Sequence, residues 1–471
     1  MIKVKDQQIQ TKIEQLYAMG QGHIFRFWDE LTDEQREHFL SQIRQLDLSL
    51  LSRLIDFGLD KEKSLVEKYR LAPTDVLTLK KRRHRDQAII PVGEEALRKG
   101  QVAAFLVAGG QGSRLGFDGP KGCFPITPVR HKILFQLHAE KILALNKKYE
   151  TQIPWYIMTS STNHKQTVEC FQKHEYFGLN PQDISFFIQD MLPAIDKKGK
   201  LLLAKKDSLF LSPNGHGGSV KALWDSGSIA DMRKRGIRYI FYFQVDNVLV
   251  NICDPAFIGY HIAARADMSN KVIRKKNPEE RLGIICKING QEGVVEYSDL
   301  SREDMYARTE DGRLKYWAGS IAIHMLNVEF VALANEHGFN LPYHKALKVV
   351  PYMDEKGHTV RPVDKNGIKF ETFVFDLLLQ AGRIFTMEVK REEEFSPVKN
   401  ATGEDSPKTA QDDLLRVYAN WLIAAGIDIE LNEQGLPLKK IEISPTFALT
   451  RQDVIEKSAL INEIYDPFYL E

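Results

Sequence analysis

The sequence predicts an α/β protein with a mostly parallel central sheet. Apolar runs of strand length, such as residues 102–107 and 239–245, alternate with segments whose apolar residues recur at helical spacing. Strands that alternate with helices form parallel sheets covered on both faces. Glycine-rich or polar loops follow several of these runs, and ligands of parallel sheets bind beyond the carboxyl ends of the strands.

The order of elements follows from these periods. Polar residues at helical spacing fill the first part of the chain, where Thr32 and Gln35 form a capping box. Helices are expected at residues 135–149, 162–174, 219–235 and 410–425, and strands at 102–107, 155–158, 184–188, 239–245 and 441–445. At 471 residues the chain is too long for one core. We expect a helical N-terminal region (1–95), a catalytic α/β domain (96–392) and a small β-rich C-terminal domain (393–471), with a boundary loop at 392–408.

Composition excludes several functional classes. A formal net charge of +1 provides no general attraction to nucleic acid or to anionic membranes. No apolar run approaches the roughly 20 residues that span a bilayer, and the first residues lack the apolar core of a secretory signal. The four cysteines are far apart, which is typical of reduced thiols in a cytoplasmic protein.

The most informative stretch is residues 106–122, where the strand 102–107 runs into Gly109, Gly110 and Gly112. Glycines allow backbone N–H groups to approach a phosphate or a base closely. Arg114 and Lys121 add two cations, which suit a nucleoside triphosphate. The spacing fits neither a Walker A loop nor a dinucleotide fingerprint.

The stretch Leu-Val-Ala-Gly-Gly-Gln-Gly-Ser-Arg-Leu-Gly, followed by Pro-Lys-Gly, resembles the nucleotide loop of the eukaryotic-type UDP-sugar pyrophosphorylases. Within that family the chain is most similar to the UDP-N-acetylglucosamine pyrophosphorylases. The resemblance implies a Rossmann-like nucleotidyltransferase (glycosyltransferase-A-like) fold and Mg²⁺ as cofactor. It also implies the reaction of UTP with a sugar 1-phosphate to yield a UDP-sugar and pyrophosphate.

Two strand ends carry polar residues that suit such a substrate. Asp246 ends an apolar strand, where a carboxylate either binds Mg²⁺ or caps a turn. Gln189 precedes Met-Leu-Pro, and its amide either reads a pyrimidine edge or is an ordinary strand-end residue. The resemblance favours the first alternative in both cases and implies uracil contacts from Gly109, Gly110 and Gly215.

The resemblance assigns further substrate contacts to His216, Asn247, Gly283, Glu296, Trp317 and Ser320. Three of these depart from the N-acetylhexosamine pattern. His216 stands where such members usually have Asn, and Trp317 and Ser320 replace the two asparagines of Asn-Ala-Gly-Asn. A tryptophan can stack on a pyranose face, so these changes affect the identity of the sugar rather than binding itself.

Two distant lysines complete the predicted site. Lys369 and Lys399 would each be solvated surface charges on spacing alone, but their motifs resemble the family's phosphate-binding lysines. The resemblance thus implies that Arg114, Lys121, Lys369 and Lys399 are the catalytic cations. Thr372, where relatives often have another lysine, receives no role.

Alternatives remain open at this point. The sugar is N-acetylglucosamine 1-phosphate by the overall motif set, whereas His216 and Trp317 favour glucose 1-phosphate or a broad specificity. A non-catalytic nucleotide-sugar-binding protein is the alternative from another class. We expect a monomer or weak homo-oligomer whose partners are UTP and the sugar phosphate, with neither nucleic acid nor membrane.

Overall fold

The computed structural model describes residues 1–60, 70–336, 338–461 and 463–471. These residues form two compact units, each assembled from separate stretches of chain. The described residues of 1–64, 190–218 and 341–374 make the first unit, and those of 65–189, 219–340 and 375–471 make the second unit. The three consecutive domains predicted from the sequence divide the chain differently, and that division stays a prediction.

The first unit begins with three helices: Gln7–Ala18, Asp33–Gln45 and Leu48–Leu59. The predicted capping box is present, because the Thr32 hydroxyl accepts from Gln35 N and the Gln35 side chain accepts from Thr32 N. Apolar residues of these helices share a core with strands from the two other stretches of the unit. Burial of that shared apolar surface holds the three stretches together.

The strands of the first unit form small sheets. Gly367–Glu371 lies between His344–Lys348 and Ile195–Asp196, and both pairings are antiparallel. The other pairs, all antiparallel, are Met191–Pro193 with Leu211–Pro213, Leu203–Lys205 with Ser208–Leu209, and Tyr352–Met353 with Thr359–Val360. Short 3₁₀ turns span Gly22–Phe25 and Trp28–Glu30.

The second unit is organised on a ten-stranded sheet. Seven strands lie in the spatial order Leu71–Pro73, Ile284–Ile288, Ala318–Asn327, Tyr239–Gln244, Val102–Val107, Trp155–Thr159 and Ile184–Ile188. The last four are mutually parallel, as predicted. Gln291–Val295, Met268–Arg274 and Ile384–Glu388 complete the sheet, and the α/β prediction is confirmed.

Helices and turns connect these strands. The α-helices are Leu79–Arg82, Asp86–Arg98, Leu134–Tyr149, His164–Lys173, Gly218–Asp225, Ser228–Lys234, Pro255–Ala264, Arg302–Tyr306, Val328–Glu336, Arg391–Glu394, Pro407–Ala424 and Arg451–Glu456. The 3₁₀ turns are Ser113–Leu115, Lys121–Cys123, Glu175–Gly178, Pro181–Asp183, Val374–Leu379 and Ser458–Leu460. The single helix predicted over 219–235 was wrong, because Gly227 adopts a φ of 75° and divides it. Gly236, predicted as its C-terminal cap, has a φ of 76°.

The last part of the second unit contains one two-stranded parallel sheet, Ile441–Ile443 with Phe468–Leu470. The segment predicted as a boundary loop carries the short helix Arg391–Glu394 and then runs without regular structure to the capping residue Ser406. Among the residues the structure describes, no helix combines the length and the apolar character needed to cross a bilayer.

Candidate functional site

The carboxyl ends of four parallel strands meet at one edge of the large sheet. Val107 pairs with Gln244 on one side and Met158 on the other, and Thr159 pairs with Ile188. The loops that follow these strands therefore begin side by side. They carry Gly109 and Gly110, Ser160, Gln189, and Asp246 with Asn247.

The loop of residues 109–122, called here the 109–122 loop, is closed by its own backbone. Gly112 N donates to Gly119 O at 2.9 Å, and Lys121 N donates to Gly110 O at 3.1 Å. Gly119 has a φ of 144°, which a residue with a Cβ rarely adopts. The closure brings the Lys121 side chain over Gly110, where a Cβ would lie 4.0 Å from Lys121 Cε.

Two residues that the sequence reasoning missed hold this loop. Ser160 Oγ donates to Gly109 O at 2.8 Å, and Asn163 Nδ2 donates to Ala108 O at 2.8 Å and to Gly110 O at 3.2 Å. Both side chains are buried. The run Ser-Ser-Thr-Asn between a strand and a helix was the available signal, because such residues bond to nearby backbone.

Gln189 lies against the start of the 109–122 loop. Its backbone N–H donates to Thr159 O at 2.9 Å, which continues the strand pairing by one residue. A Cβ on Gly109 would meet the Gln189 amide nitrogen at 2.4 Å. A larger residue at position 109 would displace this amide, and the two residues predicted to contact uracil are neighbours.

Lys121 and Asp246, which are 125 residues apart, form an ion pair at this edge. Lys121 Nζ lies 3.2 Å from Asp246 Oδ2, and the two side chains are 17% and 12% exposed. The pair is thus largely shielded from water, where a charge–charge contact is stronger than at the surface. The sequence pattern proposed both residues, and the fold brings them into contact.

The segment 394–399 packs along the backbone that follows Asp246. Val398 N donates to Asp246 O at 2.9 Å, and Asn247 Nδ2 donates to Glu394 O at 2.8 Å. Asn247 Oδ1 in turn accepts from Ser396 N at 3.0 Å. Asn247, predicted to contact substrate, therefore ties two chain segments together.

The two other predicted catalytic cations of the second unit, Lys399 and Arg114, are more exposed than Lys121. Lys399 follows Val398 directly, its side chain is 39% exposed, and its Nζ lies 3.7 Å from Asp405 Oδ2. Arg114 is exposed on the 3₁₀ turn Ser113–Leu115 of the 109–122 loop. Contacts at that exposure contribute little to stability, so these side chains can exchange them for a ligand.

A second polar cluster lies where the strand Ala318–Asn327 begins. This strand is antiparallel to Tyr239–Gln244, with His324 opposite Tyr242, so its first residues lie at the edge where Tyr239–Gln244 ends. Ser320 N donates to Gly283 O at 2.8 Å. A Cβ on Gly283 would lie 3.2 Å from Glu296 Oε1, so the predicted residues Gly283, Glu296 and Ser320 form one group.

Trp317 adjoins this group and has one face covered. The Arg274 guanidinium carbon lies 4.1 Å from the centre of the Trp317 ring, and Arg274 Nε lies 2.6 Å from Glu388 Oε1. A cation over an indole face is a favourable contact. The stacking on a sugar that the sequence suggested is therefore restricted to the opposite face.

The first unit holds the second glycine loop, residues 214–218, called here the 214–218 loop. The backbone N–H and the hydroxyl of Thr372 both donate to Asn214 O at 2.9 Å, and Gly217 N donates to Thr372 O at 2.8 Å. Gly215 has a φ of 71°, and a Cβ there would lie 2.5 Å from Thr372 O. Thr372 received no role from the sequence; the structure shows that it fastens this loop.

His216 in the 214–218 loop is neutral. Its Nδ1 accepts from Val374 N at 3.0 Å, which leaves the ring hydrogen on Nε2. Burial, with a smaller contribution from nearby His344, lowers the pKa of His216 to about 4. Lys369 belongs to the same unit; its Nζ lies 4.9 Å from the Phe210 ring centre, and burial lowers its pKa.

The donor groups of the second unit bear on whether a metal fits. Among the described residues, no group of three or more His, Cys, Asp or Glu side chains could hold a metal ion. Asp246 nevertheless offers a carboxylate at the edge of the sheet, beside a cationic loop. Mg²⁺ commonly takes one or two carboxylates and completes its shell with water and substrate phosphates. The residues present fit Mg²⁺ shared with a nucleotide.

Comparison with known proteins identifies the family. The family model described as UTP–glucose-1-phosphate uridylyltransferase matches residues 60–451 of the chain. The chain belongs to this family. The match covers both glycine loops and every predicted site residue.

Individual members of this uridylyltransferase family are similar to the chain over most of their length. The chain is 39% identical to the UDP-N-acetylhexosamine pyrophosphorylase-like protein 1 of Xenopus tropicalis over 438 residues, covering 89% of this chain and 86% of the relative. It is 37% identical to the UDP-N-acetylglucosamine pyrophosphorylase of Saccharomyces cerevisiae over 437 residues, covering 88% and 92%. The crystal structure of the Trypanosoma brucei uridine diphosphate N-acetylglucosamine pyrophosphorylase, in complex with inhibitor, has a TM-score of 0.85 at 27% identity, covering 100% and 99%.

These findings confirm the resemblance and the nucleotidyltransferase fold expected from it. The second unit brings together the predicted residues Gly109, Gly110, Lys121, Gln189, Asp246 and Asn247, with the backbone before Lys399 beside them. Gly215, His216 and Lys369 belong to the first unit. The chemical role of each predicted site residue stays a prediction.

Proposed function

We propose that this chain joins UTP and a sugar 1-phosphate to yield a UDP-sugar and pyrophosphate, with N-acetylglucosamine 1-phosphate as the preferred acceptor. The observation that carries the proposal is the largely shielded contact between Lys121 and Asp246, 3.2 Å apart beside the 109–122 loop. A cation and a carboxylate at the carboxyl edge of a parallel sheet suit a metal-bound triphosphate. Membership in the uridylyltransferase family supports the same reaction.

The chemistry requires little from the protein beyond position and charge. An oxygen of the sugar phosphate attacks the α-phosphorus of UTP in line, one P–O bond forms, and the bond to the β-phosphate breaks as pyrophosphate leaves. The attacking oxygen is already anionic, so no general base is needed. The main obstacle is repulsion between two polyanions, which positioned cations overcome. One phosphoanhydride replaces another, and the reaction is readily reversible.

Each predicted cation receives a part in this scheme. Arg114 and Lys121 neutralise the triphosphate and the leaving pyrophosphate, while Lys369 and Lys399 hold the sugar phosphate. Asp246 would hold Mg²⁺, which when bound would offset charge on the phosphates of UTP. Gly109, Gly110, Gly215 and Gln189 contact uracil through backbone and amide groups. The sugar contacts are His216, Gly283, Glu296, Trp317 and Ser320, whereas the side chain of Asn247, which the resemblance also assigned to the substrate, holds the segment 394–399 beside Asp246.

A second acceptor, glucose 1-phosphate, is favoured by one specific feature. Trp317 stands where an asparagine would bond an acetamido group, its ring packs on an apolar cluster, and Arg274 covers one face. A pocket that lacks an amide partner discriminates weakly between sugars that differ at that group. Broad specificity would be the consequence.

The test is pyrophosphate release from UTP with a panel of sugar 1-phosphates, with EDTA and with Mg²⁺. We expect the highest kcat/KM with N-acetylglucosamine 1-phosphate, no turnover in EDTA, and full recovery with Mg²⁺. A higher value with glucose 1-phosphate would favour the second acceptor. Absence of release with every sugar, by a folded protein that still binds UDP-sugar, would support a non-catalytic binding protein instead.

A further inference from the structure

The helix Leu134–Tyr149 holds the backbone on both sides of Asp246 through two polar side chains. His138 Nε2 lies 3.0 Å from Val245 O. Lys141 Nζ donates to Val248 O at 2.8 Å and to Val250 O at 2.9 Å. His138 and Lys141 are three residues apart, so they lie on the same helix face.

Both side chains are specialised for these contacts by their surroundings. His138 is fully buried, and burial lowers its pKa to about 3, so the ring is neutral and Nε2–H is the donor to Val245 O. Burial also lowers the pKa of Lys141, to about 7, against an opposing effect of Glu394. Burying an amine costs free energy unless its hydrogens form hydrogen bonds. Here the carbonyls of Val248 and Val250 accept them.

The opposite side of the same turn is held by the segment 394–398. Val398 N donates to Asp246 O, and Val248 N donates to Ser396 O at 3.2 Å. The turn that carries Asp246 is therefore held by hydrogen bonds from the helix Leu134–Tyr149 on one side and from the segment 394–398 on the other. The helix contacts this turn only through side chains, whereas the segment 394–398 also bonds it through backbone atoms. A point substitution in the helix therefore removes a contact without altering any backbone hydrogen bond.

We infer that Lys141, with His138, is a positioning residue for uridylyl transfer, and that it fixes the direction in which the Asp246 carboxylate faces a divalent cation. The inference rests on the proposed role of Asp246. Lys141 bonds the carbonyls of Val248 and Val250, which lie two and four residues after Asp246, rather than a reacting group. Without its ammonium group, residues 248–250 lose two hydrogen bonds and the carboxylate samples several directions. Losing such supporting contacts typically weakens metal binding by about 10–100-fold.

The test measures metal-linked nucleotide binding rather than turnover. Isothermal titration calorimetry compares the affinity for UTP with Mn²⁺ and with EDTA, in the wild type and in Lys141→Met. We expect the gain in affinity that Mn²⁺ provides to fall by about tenfold or more, with UTP binding in EDTA unchanged. Lys147→Met, on an exposed position of the same helix, is the matched control and should behave as wild type. An unchanged gain in Lys141→Met would overturn the inference.

A double substitution separates this inference from the proposed function. If Lys141 acts through Asp246, Lys141→Met should have no further effect on the Mn²⁺-linked gain in an Asp246→Asn background. If Asp246→Asn alone leaves that gain intact, the proposed role of Asp246 fails. If Asp246→Asn abolishes it while Lys141→Met keeps it, only the role of Lys141 fails.

Two further variants cover the case that Lys141→Met does not fold. His138→Phe keeps a ring in the same space and removes only the donor to Val245 O, so it should also reduce the Mn²⁺-linked gain. Lys141→Ala can be supplied with n-propylammonium, because a cavity of about 400 Å³ borders Lys141. Recovery of the gain with the amine, and not with n-propanol, supports the inference. The inference would be contradicted if His138→Phe kept the full Mn²⁺-linked gain in UTP affinity and n-propylammonium did not restore that gain in Lys141→Ala.

Discussion

Gly110 and Gly217, one from each glycine loop, differ in the space around them. In the 109–122 loop, a Cβ on Gly110 would have Lys121 Cε as its nearest neighbour at 4.0 Å, so this position has room. In the 214–218 loop, a Cβ on Gly217 would lie 2.5 Å from Phe373 N, so this position has none. At Gly110 the first loop keeps space beside Lys121, whereas at Gly217 the second is packed on backbone, and it carries the neutral His216.

This difference suggests a division of labour between the loops. A loop with free space and fixed positive charge can admit phosphate oxygens. A loop pressed against Thr372–Val374 has its shape set by packing and can offer a rigid, uncharged surface to a base or sugar. Substitutions should therefore affect activity most in the 109–122 loop and stability most in the 214–218 loop.

The largest effect should come from the charge of the 109–122 loop. Lys121→Met should lower kcat/KM for UTP by about 10²–10³-fold, roughly 3–4 kcal/mol of barrier, because a positioned cation is lost. The free energy of unfolding should change far less, and circular dichroism should show an intact fold. Lys147→Met is the control in a steady-state assay. A Lys121→Met enzyme with near-normal kcat/KM would remove the phosphate role of this loop.

The next prediction compares how one added methyl group in each loop changes the free energy of unfolding. Gly217→Ala should lower the free energy of unfolding by about 1–3 kcal/mol, because its Cβ overlaps a backbone nitrogen that cannot move freely. Gly110→Ala should change it by less than about 0.5 kcal/mol. Neither position has a positive φ, so the pair isolates packing from backbone strain. Urea unfolding of both variants measures the contrast, and equal losses would contradict it.

His216 should make the 214–218 loop sensitive to acid. Its folded pKa of about 4 lies below the unfolded value of 6.5, so between these pH values the unfolded chain binds a proton that the folded protein does not. Its contribution to stability is complete above pH 6.5 and is lost as the pH falls, by roughly 1.4 kcal/mol per pH unit. His216→Asn should reduce the slope of unfolding free energy against pH by one proton over this range. An identical slope in both proteins would argue against a neutral His216.

The smallest effect concerns the choice of sugar. Asparagine at position 216 can accept the same bond from Val374 N through Oδ1, so the loop should keep its shape. We expect His216→Asn to raise the ratio of kcat/KM for N-acetylglucosamine 1-phosphate over glucose 1-phosphate by about tenfold, or about 1.4 kcal/mol. Trp317→Asn is the parallel variant in the second unit. Unchanged ratios in both would place sugar selection elsewhere.

Much of the fold could be predicted because its signals are local. The strand Val102–Val107 and the capping box of Thr32 and Gln35 appear as the pattern indicated. The helix predicted at 219–235 failed where periodicity continued across Gly227, since an apolar pattern does not reveal a positive φ. Ser160 and Asn163 were missed although the run Ser-Ser-Thr-Asn was a local signal, whereas Lys141 was missed because its partners are backbone carbonyls, which leave no mark on residue type.

The sequence by itself identified the 109–122 loop, the strand that ends at Asp246 and the family to which the chain belongs. Strand period, glycine content and motif spacing are properties of residues that are neighbours in the chain, so they can be seen without the fold. Folding was needed to join Lys121 to Asp246, to bring Val398 against Asp246, and to gather residues 190–218 with 341–374. Those contacts link segments more than a hundred residues apart. They depend on which apolar faces bury one another, and burial is a collective property that no short stretch of sequence contains.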